Sequence, residues 1–222
     1  MIESELLLDA YCDGIFPMAI GRRGDIGWFS PDPRAIIPIN NRFHIPHGLR
    51  RVLKQKKFDI TFDTDFKAVI RACAKRKEGT WISKKIIESY CNLYRLGYAH
   101  SVEVWQVDQP KPKTEMLRQA QHDKKREATA SSLHAPRSTS LVGGLYGVHI
   151  GGAFFGESMF HRATDASKVA LVALVGRLRA CGFTLLDTQW LTPHLAQFGT
   201  YEIPRAEYLR RLRRAVAMDC QF

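Results

Sequence analysis

Between two strand-like runs, "HSVEVWQV" (100–107) and "LVGGLYGVHI" (141–150), the chain carries a long polar break. Residues 108–140, "DQPKPKTEMLRQAQHDKKREATASSLHAPRSTS", contain no aromatic, no valine and no isoleucine. A segment this polar cannot bury enough surface to offset its ordering entropy, so it is expected to be a disordered or loosely helical insertion. Its flanks alternate apolar and polar residues as half-buried strands do, and they are expected to pair as an antiparallel hairpin. An insertion at such a tip is tolerable, because loop-closure entropy rises by only ~0.6 kcal/mol per doubling of length.

The same patterning orders the rest of the chain. Residues 4–13 form an expected first helix, capped by Ser4 and stopped by Gly14. "IFPM" and "WFSPDPRAIIPI" predict short strands and packed loops. "PHGLRRVLKQKKF" predicts a basic helix and "FDITF" a strand. Asp63, Thr64 or Asp65 can cap a helix running to about Lys75, and Ser83 one that ends at Gly97. "LVGGLYGVHIGGAFFGESMF" predicts two or three strands with glycine turns. The helix "DASKVALVALVGRLRACG", the strand in "TLLDTQWL" and the helix "PRAEYLRRLRRAVAM" complete the order. The fold class is α/β (α+β): a mixed sheet with helices packed on it. Expected domains are a small N-terminal α+β domain, 1–57, and a catalytic domain, 58–222, carrying the insertion.

Charge narrows the partners. Lys and Arg total 33 against 22 Asp and Glu, a net charge of +11, which suits a polyanion such as nucleic acid or an anionic membrane face. The five cysteines, Cys12, Cys73, Cys91, Cys181 and Cys220, include no C-x-x-C pair and read as reduced thiols. The acidic start lacks a signal peptide's basic n-region, and no apolar run is long enough to span a bilayer. A soluble, intracellular protein is expected.

An acid inside an apolar strand needs a reason. In "TLLDTQWLTPH", Asp187 and Gln189 lie two apart and should share a face, yet a buried carboxylate costs several kcal/mol unless paired. Ser158, Asp187 and His194 follow the chain order of an α/β-hydrolase triad, but Phe160 stands where the nucleophile elbow needs glycine. His149, His161 and His194 lack metal-ligand spacing and read as hydrogen-bonded structural residues. The glycines of "GGLYGVHIGG" lack a P-loop's Lys-Ser/Thr and read as hairpin turns and close backbone contacts. What remains is Glu157, Met159, Asp187 and Gln189, with Trp28 and Trp105 elsewhere. Spacing alone favours reading Glu157 and Asp187 as paired structural acids and the tryptophans as core.

"GIFPM", "WFSPDPRAIIP", "GTWIS", "AHSVEVW", "GGLYGV", "GESMF", "ASKVAL", "LLDTQ" and "GTYEIPRAEYL" together resemble the leucyl/phenylalanyl-tRNA–protein transferase family. The motifs cover nearly the whole chain outside 108–140, where the family usually has a tight turn. The resemblance implies a fold similar to the N-acetyltransferase acyl-transfer fold, preceded by a small N-terminal domain. It implies a bacterial, cytoplasmic aminoacyltransferase, expected to act as a monomer, that moves Leu, Phe or Met from aminoacyl-tRNA to an N-terminal Arg or Lys. The added residue marks the acceptor protein for degradation, and no metal or cofactor is implied.

By the same resemblance Asp187 and Gln189 carry the catalysis. Gln189 would accept a hydrogen bond from the attacking amine, and Asp187, bonded to the Gln189 amide, would fix its orientation. Glu157 would contact the substrate α-amine or ribose, Met159 and Leu145 would form the side-chain pocket, and Trp28 and Trp105 would flank the 3′ adenosine. Arg50, Arg51, Lys54, Lys56 and Lys57 are the candidate tRNA phosphate contacts. Two other classes stay open: an RNA-binding module without catalysis, and an acyltransferase with a thioester donor. The second would want a glycine-rich pyrophosphate loop that "HRATDASKVAL" lacks.

Overall fold

The structure, a computed structural model, describes residues 1–21, 24–76, 79–107 and 139–222. Of the expected insertion, residues 108–138 lie outside the described residues, while Thr139 and Ser140 already belong to a strand.

Helix α1 (Ser4–Cys12) leads through Gly14 into a two-stranded hairpin of β1 (Phe16–Ile20) and β2 (Asp25–Phe29). Gly14 takes φ +75, the left-handed geometry glycine adopts without strain. Glu3 is the N-cap, and Ser4, the expected cap, instead accepts a bond from Asn92 Nδ2. Next come β3 (Arg34–Ile37), α2 (His47–Lys54), β4 (Phe58–Phe62), α3 (Phe66–Ala74), α4 (Lys84–Arg95) and β5 (Ala99–Val107). Asp65 caps α3 through the Ala68 N–H, and Ser83 caps α4 through Ile86. The C-terminal half holds β6 (Thr139–Ile150), β7 (Ala153–His161), α5 (Ala166–Ala180), β8 (Leu185–Gln189), α6 (Pro193–Ala196), β9 (Tyr201–Ile203) and α7 (Arg205–Val216).

Seven strands form one sheet in the order β4-β5-β6-β7-β8-β3-β9. The runs flanking the polar break do pair antiparallel, from Ala99↔Val148 to Val107↔Thr139. Every pairing is antiparallel except β7 with β8. One face of the sheet packs α1, α3, α4 and α7 through residues such as Tyr11, Phe66, Tyr90 and Tyr208; the other packs α5 and α2 through Leu171, Leu174 and Leu49. Strand β3 lies within the stretch 1–57 expected as a separate domain, yet it sits in this sheet between β8 and β9. A pairing partner some 150 residues away leaves no trace in local periodicity.

The glycines of "GGLYGV" are not turns. All three lie inside β6, where a Cβ at Gly147 would stand 2.3 Å from the Phe155 carbonyl oxygen and one at Gly143 2.5 Å from Ala166 Cβ. Their bareness lets β7 and α5 approach closely. The turn falls later, at Gly151 and Gly152 between β6 and β7.

Candidate active site

Strands β7 and β8 stay together only from Ala153↔Leu185 to Phe155↔Asp187. Beyond that, β7 continues along β6, whereas Gln189 pairs with Ala35 of β3. The two parallel strands therefore part, and the gap opens a cavity of about 740 Å³. Glu157 and Met159 line it from β7, and Leu186, Thr188 and Gln189 from β8. Leu145, the β6 partner of Met159, Leu171 and Leu174 of α5, and Leu195 give it an apolar wall.

Asp187 is fully buried and accepts four hydrogen bonds. Arg34 grips it with both prongs, Nε to Oδ1 at 2.9 Å and Nη2 to Oδ2 at 2.6 Å. The Tyr208 hydroxyl donates to Oδ2 at 2.9 Å, and the Gln189 backbone N–H to Oδ1 at 2.9 Å. Arg34 is itself only 1% exposed. It lies 5.0 Å from the Phe16 ring and 4.5 Å from the Tyr208 ring, and its Nη1 donates to the Gly14 carbonyl at 2.9 Å. Burial works against the guanidinium charge, but the adjoining Asp187 carboxylate outweighs it and raises the Arg34 pKa.

This corrects the expected acid–amide pair. Asp187 bonds the backbone of Gln189, not its side-chain amide. Gln189 takes φ +61, so the strand turns at its last residue. Its side chain lines the cavity, while Asp187 points into the Arg34–Tyr208 cluster. The simple alternation of a strand ends one residue too early for the two to share a face. Gln189 Nε2 is buried with no partner among the described residues.

Glu157 is the one carboxyl lining the cavity among the described residues. Tyr11 donates to its Oε1 at 2.7 Å and Tyr90 to its Oε2 at 3.3 Å, and the two tyrosine hydroxyls also bond each other. Burial, the largest influence, pushes its carboxyl up to about 7; the Asp187 charge adds, while the Tyr11 and Tyr90 bonds and Arg34 oppose.

The two tryptophans expected beside the adenosine lie away from the cavity. Trp28 is 40% exposed on β2, and Trp105 on β5 donates to Thr61 Oγ1 of β4 at 2.8 Å; neither lines the cavity. Trp81 and Trp190 do. Trp81 sits in "GTWIS" just ahead of the α4 cap, a loop aromatic with no helix or strand face to serve, and that was the available signal. Arg34, which the motifs did not single out, was signalled by a cation inside "RAII".

The triad is not assembled: Ser158 Oγ accepts from Arg76 at 2.8 Å and Asp187 is held by Arg34. His149 bonds His100, which bonds Asp63, a structural chain. Among the described residues no cluster of three metal-ligating side chains occurs, and no helix is long and apolar enough to cross a membrane. Arg50, Arg51, Lys54, Lys56 and Lys57 are all exposed, on α2 and the loop after it, with Leu49 turned inward.

Comparison with known proteins decides the family. The family model described as leucyl/phenylalanyl-tRNA protein transferase matches residues 36–110 and 114–213, and that of its N-terminal domain matches 1–32. The chain belongs to the leucyl/phenylalanyl-tRNA–protein transferase family. Among its relatives, the leucyl/phenylalanyl-tRNA–protein transferase of Akkermansia muciniphila is 50% identical over 96% of this chain and 95% of its own. That of Herpetosiphon aurantiacus is 47% identical over 100% and 98%. A solved structure titled "Crystal structure of FemX" superposes with a TM-score of 0.51 over 90% of this chain and 66% of that one. At 12% identity it speaks for the fold alone, a mixed sheet with helices packed on it. This transferase is thus an aminoacyltransferase with an aminoacyl-tRNA donor and a protein acceptor.

Proposed function

We propose that the transferase moves Leu, Phe or Met from aminoacyl-tRNA onto the N-terminal Arg or Lys of acceptor proteins in the cytoplasm, as a monomer, marking them for degradation. The observation that carries this reading is the cavity itself. Its Leu- and Met-lined wall suits an apolar side chain, its tryptophans suit a base, and the Gln189 amide offers it an Nε2 with no partner among the described residues. Met159, unbranched and polarizable, adapts to all three side chains, with Leu145 beside it. Trp81, in place of Trp28 and Trp105, is the stacking surface for the 3′ adenosine, an interaction worth ~1–3 kcal/mol. Glu157 faces the aminoacyl end. The small N-terminal domain ends near residue 33, between the two family matches, rather than at 57.

The donor ester is already activated, so the enzyme gains rate chiefly by holding amine and carbonyl in attack geometry. Gln189 does this at both ends of its amide. The oxygen accepts from the attacking amine, and Nε2 donates to the ester carbonyl oxygen as its charge grows. Asp187, anchored by Arg34, sets the backbone from which that amide projects. The decisive assay mixes purified protein, tRNA charged with labelled leucine, and a peptide beginning with Arg. Leucine is expected at the peptide's N-terminus; tRNA binding without transfer would instead make this a binding module.

The exposed basic residues of α2 are proposed to meet tRNA phosphates. Each such pairing releases counterions, so affinity should fall steeply with salt. Replacing Arg51 and Lys54 with alanine should weaken binding and reduce the log–log salt slope by about one for each phosphate left unpaired. An unchanged slope would move the tRNA surface elsewhere.

A further inference from the structure

We propose that Glu157 is the proton acceptor of the transfer reaction, taking a proton from the acceptor's α-ammonium group and storing it in a ring of hydrogen bonds with Tyr11 and Tyr90. The proposal rests on the aminoacyl-transfer reading above and adds to it where the proton goes.

Counting hydrogens separates the two states of the carboxyl. Three hydrogen bonds close the ring: Glu157 Oε1 with Tyr11, Tyr11 with Tyr90, and Tyr90 with Glu157 Oε2. Each tyrosine hydroxyl has one hydrogen. With Glu157 ionised, two hydrogens serve three positions, and one position is short of a proton. With Glu157 protonated, three hydrogens serve three positions. The fold has therefore built a place for one more proton at the carboxyl that lines the cavity.

The surrounding groups leave that role to Glu157. Burial, the largest influence on each, holds the Tyr11, Tyr90 and Tyr146 hydroxyls well above their ordinary range, so they relay protons without ionising. From α3, burial pushes the Cys73 thiol up to about 12. Asp187 already accepts from four donors, and Arg34 is committed to it. Lys75 and Arg76 line the cavity as cations, and His161 and His194 stand on its walls as rivals to be tested.

The step balances. An acceptor α-amine, with a pKa of ~8, arrives mostly as R–NH₃⁺ at neutral pH. Glu157 carboxylate takes one proton, leaving R–NH₂ and a neutral carboxylic acid. The amine nitrogen forms a bond to the ester carbonyl carbon. As the bond from that carbon to the ribose oxygen breaks, a second proton from nitrogen passes to the departing oxygen. Glu157 then releases its proton to solvent, so amide, tRNA with a free ribose hydroxyl, and one H⁺ result.

The test follows single-turnover transfer of labelled leucine to an Arg-peptide from pH 5.5 to 9, with wild type and Glu157→Gln. The amide keeps the shape but cannot hold the proton. The variant is expected to lose about 10²-fold in rate near neutral pH, with the peptide's KM unchanged and leucyl-tRNA held at saturation. The loss should shrink about tenfold at the alkaline end, where the acceptor arrives neutral. Tyr11→Phe removes a donor that favours the charged form, so it should move the wild-type limb to higher pH; His161→Gln and His194→Gln should leave that limb in place. Infrared titration of the free enzyme gives a readout independent of transfer: a protonated-carboxyl stretch that forms near neutral pH and is missing in Glu157→Gln. A loss independent of pH, a loss confined to the peptide's KM, or an infrared signal unaffected by Glu157→Gln would overturn the proposal. Absence of any leucine transfer would count against the function above, while the infrared titration would still decide the proton site.

Discussion

Arg34→Met is expected to destabilise the protein by about 3–5 kcal/mol, the usual result of stripping one partner from a buried ion pair. Asp187 is fully buried and would lose two of its four donors together with the cation that balances its charge. The Gly14 carbonyl would lose its donor as well, loosening the joint between α1 and β1. Against a typical total stability of ~5–15 kcal/mol, this is among the largest effects a single substitution can have here. Arg34→Lys should fall in between, because an ammonium cannot supply the two-pronged grip. Urea midpoints measure all of these. The double variant Arg34→Met, Asp187→Leu should recover much of the lost stability, since no charge is then left unpaired. It should not recover transfer, because the Gln189 N–H has lost its acceptor. A loss below about 1 kcal/mol in the single variant, small beside the range for broken buried pairs, would show that the pair does not anchor the site.

The same pair shows where sequence reasoning reached and where it stopped. That Asp187 must have a reason to be buried was legible from "LLDTQ" alone. Its partner was not, because Arg34 lies 153 residues earlier and only the closed sheet brings β3 against β8. Local periodicity located α3, α4, β5, β6 and α5 well, since each is long enough to show an apolar face. It missed β9, whose three residues carry no period, and it gave no sign that β3 joins a sheet formed largely after residue 58. Glu157 and Gln189, singled out by type and motif, do line the cavity, but the left-handed turn that separates Gln189 from Asp187 is invisible to a rule based on alternation. Trp28 and Trp105 do not line the cavity, and a related reason hid this: both lie on strands, where residue type says little about which face meets a cavity.

Gln189→Ala is expected to lower the transfer rate by about 10²–10³-fold, the range for removing one aligned donor from a developing oxyanion. The structure separates this from a folding defect. The backbone N–H that meets Asp187 survives the substitution, so the turn at φ +61 keeps its hydrogen bond. The side chain that is cut back lines a cavity rather than the packed core, and its Nε2 has no partner among the described residues to strand. Stability should therefore change by less than about 1 kcal/mol, within the usual range for substitutions that break no buried hydrogen bond. Leucyl-tRNA affinity should hold within about twofold, because the amide is used at the transition state. Asp187→Asn will not behave as a simple counterpart. It leaves Arg34 buried without a carboxylate, so stability and rate should fall together, and rates must be compared at equal folded fraction. Once that is done, the two substitutions act on one unit, and the double variant should lose little more than the worse single. Single-turnover rates alongside urea midpoints decide the matter. Losses that multiply in full would mean that Asp187 and Gln189 serve the reaction separately, and the backbone link between them would have no catalytic role.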